Sequence, residues 1–277
     1  MFPWSLQAPP SILFSWGPFT LHWYGLLFVC GFLCASYVVW RRIAFYKNVG
    51  EILFPQRNSW LDIVNGLTPL FLWGIVGARL WEVTIVNPAY YFSRPLAVFA
   101  LHEGGLAFHG GIIAGGVYLL WKLKNETLSA FDLFSPAVAL GQAIGRWGNY
   151  FNQELFGVPT NAWWGIFIDP LRRPEGYKEF ATFTPTFFIE SASLAVIGIL
   201  LIYISPVYHA QQKKGYIFAW YLIGSGIIRF FVEIIRLDPV GSFAGLRYPQ
   251  WVSLGMIVIG IMLIAMRASK IFRDEKN

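Results

Sequence analysis

The chain has 277 residues, of which 56% are hydrophobic, 18% aromatic and only 13% charged, with a mean hydropathy of +0.52. Soluble domains carry about 25% charged residues, so a single water-soluble domain is excluded. At about 20 apolar residues per bilayer crossing the length accommodates about six to eight spans, which points to an all-α integral membrane protein with one polytopic domain over residues 1–277.

No basic residue precedes Arg41, so the N-terminal stretch lacks the positive region of a cleavable signal peptide. The first span, Leu21 to Trp40, is therefore expected to stay in the mature protein. Cys30 and Cys34 lie four apart inside it and read as packing residues, with no disulfide framework. Further apolar stretches run from Trp60 to Val86, Gly105 to Trp121, Phe131 to Tyr150, Phe183 to Ile204, Tyr216 to Ile235 and Trp251 to Met266, about seven spans in all. The stretch from Gly105 to Trp121 is short and rich in glycine (Gly110, Gly111, Gly115, Gly116), and part of it is expected to be re-entrant or broken beside a cavity.

The net charge of +6 is less informative than where the basic residues fall, and it is no argument for a nucleic-acid partner. Arg41, Arg42, Lys47, Arg57, Lys122, Lys124, Lys213, Lys214, Arg267, Lys270, Arg273 and Lys276 fall on one side of the spans. Arg94, Arg172, Arg173, Lys178, Arg236 and Arg247 fall on the other, three of them in the longest loop, where the charge rule is weak. The N-terminus is thus expected outside and the C-terminus in the cytoplasm. Residues 151–182 mix prolines, tryptophans and charges and read as a small periplasmic cap between spans four and five. No internal repeat is visible, which speaks against an inverted-repeat transporter.

Arg79, Arg146 and Arg229 lie within apolar stretches. An arginine at the centre of a span costs about 2.5 to 3.5 kcal/mol on insertion scales, so such residues face protein or a wet cavity and take anionic partners. Arg229, Glu233 and Arg236 share one helical face at i, i+4 and i+7. They form either a closed structural triad or a site in which one arginine, partly neutralised, awaits an anion, held bidentately if it is phosphate. Arg146, Asn149 and Gln153 likewise share a face at i, i+3 and i+7, with Asn152, Glu154 and Gly157 close behind, a polar density beyond what helix packing needs. His109, beside Gly110 and Gly111, is a hydrogen-bonded packing residue or a base able to take a proton from a thiol or hydroxyl. His22, Trp23 and Tyr24 read as an interfacial aromatic belt, with a site role for Tyr24 as the alternative. Neither metal-ligand spacing nor a nucleotide-binding loop occurs, so no metal and no organic cofactor is expected. All these polar residues except Arg79 are expected in the outer half of the membrane. That distribution suits an enzyme acting on outer-leaflet lipid better than a transporter or channel for an anionic solute or lipid, which needs access from both sides.

The stretch Gly145-Arg146-Trp147-Gly148-Asn149-Tyr150-Phe151-Asn152-Gln153-Glu154-Leu155-Phe156-Gly157 resembles the signature of bacterial phosphatidylglycerol–prolipoprotein diacylglyceryl transferases. His22-Trp23-Tyr24-Gly25, Gly77-Ala78-Arg79-Leu80, Gly104-Gly105-Leu106-Ala107-Phe108-His109-Gly110-Gly111 and Arg229-Phe230-Phe231-Val232-Glu233-Ile234-Ile235-Arg236 resemble the same family in the same order, so the likeness covers essentially the whole chain. The resemblance implies a multi-pass enzyme of the bacterial inner membrane that takes phosphatidylglycerol and the lipobox cysteine of a prolipoprotein signal peptide, makes a thioether and releases glycerol phosphate. It places catalytic roles on Tyr24, His109, Arg146 and Arg229, and substrate binding on Arg146, Asn149, Glu154, Gly157, Arg229, Glu233 and Arg236. Two stretches depart from the family pattern. Ser225 stands where many members have a tyrosine, and Thr184-Pro185-Thr186-Phe187-Phe188-Ile189-Glu190 replaces a His-Pro-Ser-Gln-Leu-Tyr-Glu stretch. The first departure keeps a catalytically inactive, lipid-binding relative in view as a further alternative.

Overall fold

The computed structural model describes residues 10–16, 19–56, 58–100, 105, 107–211 and 213–274. Arg57, His102, Gly104, Leu106 and Lys276 lie outside the described residues, as do the side chains of His109, Lys270 and Arg273. Six helical stretches among the described residues are long and apolar enough to cross a membrane: Trp23–Phe45, Trp60–Val86, Gly110–Asn152, Thr186–Ala210, Tyr216–Ile235 and Tyr248–Ala268. The fold is all-α, with three short hairpins of two strands each. The stretch Gly110–Asn152, at 43 residues, has about twice the length that one crossing needs. It divides at Lys124, whose backbone takes φ +46°, into α5 (Phe108–Leu123) and α6 (Thr127–Asn152). The chain forms two compact units, residues 39–130 and residues 1–38 with 131–277.

In the first of these units, α2 (Lys47–Leu53) is followed by α3 (Trp60–Trp81), which opens on a capping box. The Ser59 hydroxyl accepts from the Asp62 amide at 3.3 Å, and the Asp62 carboxylate accepts from the Ser59 amide at 2.9 Å. These bonds satisfy two of the amides that a helix start leaves unpaired. α3 continues through a wide turn at Glu82–Val86 into the short helix α4 (Pro88–Ser93). α5 is continuous from Phe108 to Leu123, with no break within those residues, while Gly105 ahead of it has positive φ. The glycines within α5 serve helix packing. A Cβ on Gly77 of α3 would collide with the Gly110 carbonyl and the Ala114 methyl, and one on Gly111 would meet the Gly74 carbonyl at 3.1 Å. With no hydrophobic drive between helices in lipid, close backbone approach through small residues is what holds such a pair together.

The second unit begins with the hairpin of β1 (Ile12–Trp16) and β2 (Phe19–His22), which runs directly into α1 (Trp23–Arg42). α1 approaches α6 through glycines, a Cβ on Gly31 lying 2.7 Å from the Gly141 carbonyl. α7 (Thr186–Ala210), α8 (Tyr216–Ile235) and α9 (Tyr248–Asp274) complete the bundle. Asp132, buried in α6, accepts from the amides of Gly215 at 2.5 Å and Phe218 at 2.8 Å. A side chain from α6 thereby caps the start of α8 and fixes the two helices in register.

Beyond α6 the chain turns at Gln153 and Leu155, both with positive φ, into a small folded segment. Strands β3 (Ile166–Phe167) and β4 (Thr182–Phe183) pair antiparallel, and Phe156, Ile166, Ile168, Phe183 and Phe187 form a core covered by Trp147 and Tyr150 of α6. Backbone bonds from Gly157 to the Thr184 carbonyl, 2.8 Å, and from Val158 to the Ile235 carbonyl, 2.9 Å, join the end of α6 to the start of α7 and the end of α8. β5 (Ser242–Phe243) and β6 (Leu246–Arg247) form a second tight hairpin between α8 and α9.

Gly77→Val is expected to lower the thermal midpoint in detergent, since overpacking a tight contact costs about 1 to 3 kcal/mol. Gly116→Ala, whose Cβ meets nothing within 4 Å, should leave the midpoint unchanged or slightly raised.

Candidate functional site

The C-terminal parts of α6 and α8 and the first turns of α7 meet around one carboxylate. Glu190, in the first turns of α7 and only 3% exposed, pairs with Arg146 Nε at 2.6 Å through Oε2 and with Arg229 Nη1 at 2.6 Å through Oε1. Arg236 Nη1 lies 3.5 Å from the same Oε1. Glu233, fully buried, receives Arg229 Nη2 at 2.9 Å on Oε2 and Arg247 Nε at 3.0 Å on Oε1. Those two contacts are close ion pairs without aligned hydrogen bonds, so the attraction there is Coulombic. Asp238 completes the network, 2.7 Å from Arg236 Nε and 3.7 Å from Arg247 Nη2.

Among the described residues four guanidiniums and three carboxylates make up this connected cluster, an excess of one positive charge. The members differ in access. The Arg236 side chain is 2% exposed, whereas those of Arg146 and Arg229 are 29% and 26% exposed. Glu190 holds the accessible pair on its two oxygens, so their guanidiniums are fixed side by side with surface to spare. An anion of phosphate geometry matches such a pair, because each guanidinium offers a planar fork of donors. Arg236 is enclosed by Glu190, Glu233 and Asp238 and acts within the scaffold.

Several other residues singled out in the sequence gather at or against the C-terminal end of α6. Asn149 donates to Glu154 Oε1 at 2.8 Å, Asn152 reaches the same oxygen at 3.3 Å, and the Glu154 amide returns to the Asn149 carbonyl at 3.0 Å. This local knot ends α6 and orients the amide of Asn149. Gln153 turns away and accepts from the Asp169 amide at 2.7 Å. At Gly157 no side chain fits, since a Cβ would lie 2.9 Å from Thr186 Cγ2 and 3.0 Å from the Ile235 carbonyl. Tyr24, half exposed, lays its ring on the α6 backbone, its Cδ2 2.5 Å from where a Cβ on Gly148 would be. Trp23 stacks on Phe151 with centroids 4.6 Å apart. Ser225 donates to the Tyr221 carbonyl at 2.5 Å and is satisfied within its own helix.

His109 lies in the first turn of α5, and its side chain is outside the described residues. Arg79, in the last turn of α3, donates from Nε to the Val98 carbonyl at 2.9 Å and from Nη1 to the Gly105 carbonyl at 2.8 Å, with Ala97 as a further acceptor, and packs over the Tyr91 ring. α3 enters from the basic loop that precedes Trp60, so Arg79 sits at the end of the helix remote from that loop. Two central residues were not assigned to the cluster from the sequence. Glu190 had a signal, as an acid inside the apolar stretch Phe183 to Ile204 and as the acid shared with the family stretch, and Arg247 had none; neither signal names partners, which lie on helices far apart in sequence.

The fold and cluster define a polytopic helical membrane protein with a partly exposed arginine pair, Arg146 and Arg229, held on one buried carboxylate. Residues 11–266 match the family model of prolipoprotein diacylglyceryl transferase. A phosphatidylglycerol–prolipoprotein diacylglyceryl transferase from Finegoldia magna is 39% identical over 269 residues, covering 96% of this chain and 99% of that protein. Enzymes of the same name from Parasynechococcus marenigrum and Synechocystis sp. are 35% and 36% identical, over 91% and 92% of this chain and 92% and 88% of their own. The chain belongs to the prolipoprotein diacylglyceryl transferase family.

Glu190→Gln should destabilise the protein, since removing one partner from a buried ion network costs about 3 to 5 kcal/mol. Thermal unfolding in detergent checks this, and a midpoint equal to that of the unaltered protein would contradict the central place of Glu190.

Proposed function

We propose that this protein transfers the diacylglyceryl group of phosphatidylglycerol to the thiol of a prolipoprotein lipobox cysteine, forming a thioether and releasing glycerol phosphate. The observation that carries the reading is the pair Arg146 and Arg229, held on the two oxygens of Glu190 and both accessible. Family membership favours this transferase over a transporter for anionic solutes and over an inactive relative. The proposal includes seven crossings of the bacterial inner membrane with the N-terminus outside, the C-terminus in the cytoplasm and residues 151–182 as a periplasmic cap.

In this reaction a carbon–sulfur bond forms at the glyceryl carbon and the carbon–oxygen bond to phosphate breaks, with both electrons leaving on the phosphate. The thiol proton passes to a base, because the thiolate is the competent nucleophile. Arg146 and Arg229 meet the phosphate and stabilise the charge that grows on it in the transition state. Asn149, oriented by Glu154, and Tyr24, resting on α6, bind lipid oxygens. Gly157 allows the cap backbone to approach the site, while Glu233 holds Arg229 and Arg236 sits between Glu190 and Glu233. The base is assigned to His109 on the sequence stretch around it.

Purified protein given phosphatidylglycerol and a lipobox peptide should release glycerol phosphate in a peptide-dependent way, and Arg146→Ala should abolish release. A folded protein that binds the lipid without releasing glycerol phosphate would overturn the transferase reading. Arg229→Lys keeps the charge but loses the planar fork, and turnover is expected to fall about 100-fold or more. His109→Gln should reduce kcat far more than lipid binding. A pure binding defect would make His109 a positioning residue.

A further inference from the structure

The hairpin between α8 and α9 does more than connect them. Its register pairs Ser242 with Arg247 and Phe243 with Leu246, which places the two pairs on opposite faces of the ribbon. Phe243 is exposed, and its carbonyl accepts from Trp251 Nε1 at 2.9 Å. Arg247 points the other way, into the charge cluster. Its Nη1 donates to the Arg236 carbonyl at 2.5 Å and the Glu233 carbonyl at 3.2 Å, its Nη2 to the Asp238 carbonyl, and its Nε pairs with Glu233 Oε1 at 3.0 Å. The Arg247 amide donates to Gln250 Oε1 at 3.0 Å, which locks the base of the hairpin to α9. One guanidinium therefore covers the open carbonyls at the end of α8, where positive charge is favoured, and neutralises one oxygen of a buried carboxylate.

We propose that Arg247 is a positioning residue of the transferase site that sets the charge available to the substrate phosphate. Glu233 is fully buried and sits beside Arg229, Arg236 and Arg247. With Arg247 on Oε1, Glu233 engages Arg229 through Oε2 alone, and Arg229 keeps a partly exposed edge. Without Arg247 the cluster holds three guanidiniums against three carboxylates and its positive excess is gone. Glu233 would then be neutralised by Arg229 and Arg236 only, drawing Arg229 out of play. The effect on Arg229 passes through Glu233, whose two oxygens are shared between Arg247 at 3.0 Å and Arg229 at 2.9 Å.

This inference rests on the transferase reading, and its test separates the two. Phosphatidylglycerol-dependent glycerol phosphate release is measured at varied lipid concentration for the unaltered protein, Arg247→Gln, Arg247→Lys and the double variant Arg247→Gln/Asp238→Asn, with thermal midpoints for each. Arg247→Gln is expected to raise KM for the lipid and lower kcat, with kcat/KM falling about 30-fold. Arg247→Lys should recover part of that loss. The double variant restores one positive charge in excess without restoring the carbonyl cover on α8, and it should regain about tenfold in kcat/KM over Arg247→Gln. A purely structural role predicts no gain in the double variant, and that outcome overturns the proposal. Unchanged kinetics in Arg247→Gln also overturn it. If Arg247→Gln does not fold, the comparison of the double variant with Arg247→Lys decides, activity in both supporting the proposal and inactivity in a folded double variant contradicting it. Failure of the unaltered protein to release glycerol phosphate would count against the transferase reading alone.

Discussion

A carboxylate removed from water is tolerable only where cations replace its hydration, and Glu190 does this with three guanidiniums at once. Two of its contacts, at 2.6 Å to Arg146 and Arg229, use different oxygens. The carboxylate thereby sets the spacing of two arginines that come from α6 and α8, while itself belonging to α7. Three helices must each deliver one residue to a common point. The close glycine contacts and the Asp132 cap on α8 are the means by which the bundle is held in the register that permits this.

The ends of these helices are secured a second time by the segments that join them. The folded stretch after α6 uses Gly157 and Val158 to bind the start of α7 and the end of α8 with main-chain hydrogen bonds. Those bonds do not depend on side-chain identity, so they secure the helix ends in addition to the ion pairs of the arginines and acids. The price of that arrangement is the space at Gly157, where any Cβ would meet Thr186 and Ile235. The hairpin before α9 acts in the same way from the opposite direction, through Arg247. Arg236, enclosed between acids, links the two devices and leaves Arg146 and Arg229 as the accessible pair.

Much of this was readable in the amino-acid order because membrane insertion penalises charge. Arg146 and Arg229 stood out within apolar runs, and the i, i+4, i+7 spacing put Glu233 beside Arg229, a contact of 2.9 Å in the structure. Local knots such as Asn149 with Glu154 were visible as polar density at one helix end, though not which atoms meet. Glu190 was overlooked because its partners are 44 and 39 positions away, measured from Arg146 and Arg229, and no periodicity reports contacts between helices. Arg247 looked like an ordinary loop charge, since its role depends on the register of a hairpin. The glycines of α5 were ambiguous for a related reason. A broken helix beside a cavity and close approach to a neighbouring helix ask for the same residue, and only the position of Gly77 opposite Gly110 shows the second.

The account as a whole comes down to one claim, that the positive excess of the Arg146–Glu190–Arg229 cluster receives a phosphate. The most direct measurement is a phosphorus NMR titration of glycerol phosphate, the product that leaves from this site, into the purified protein and into Arg229→Gln. The account predicts a bound resonance that saturates with the unaltered protein and is lost from the variant while the fold persists. Equal binding by both proteins would contradict it and place the phosphate elsewhere.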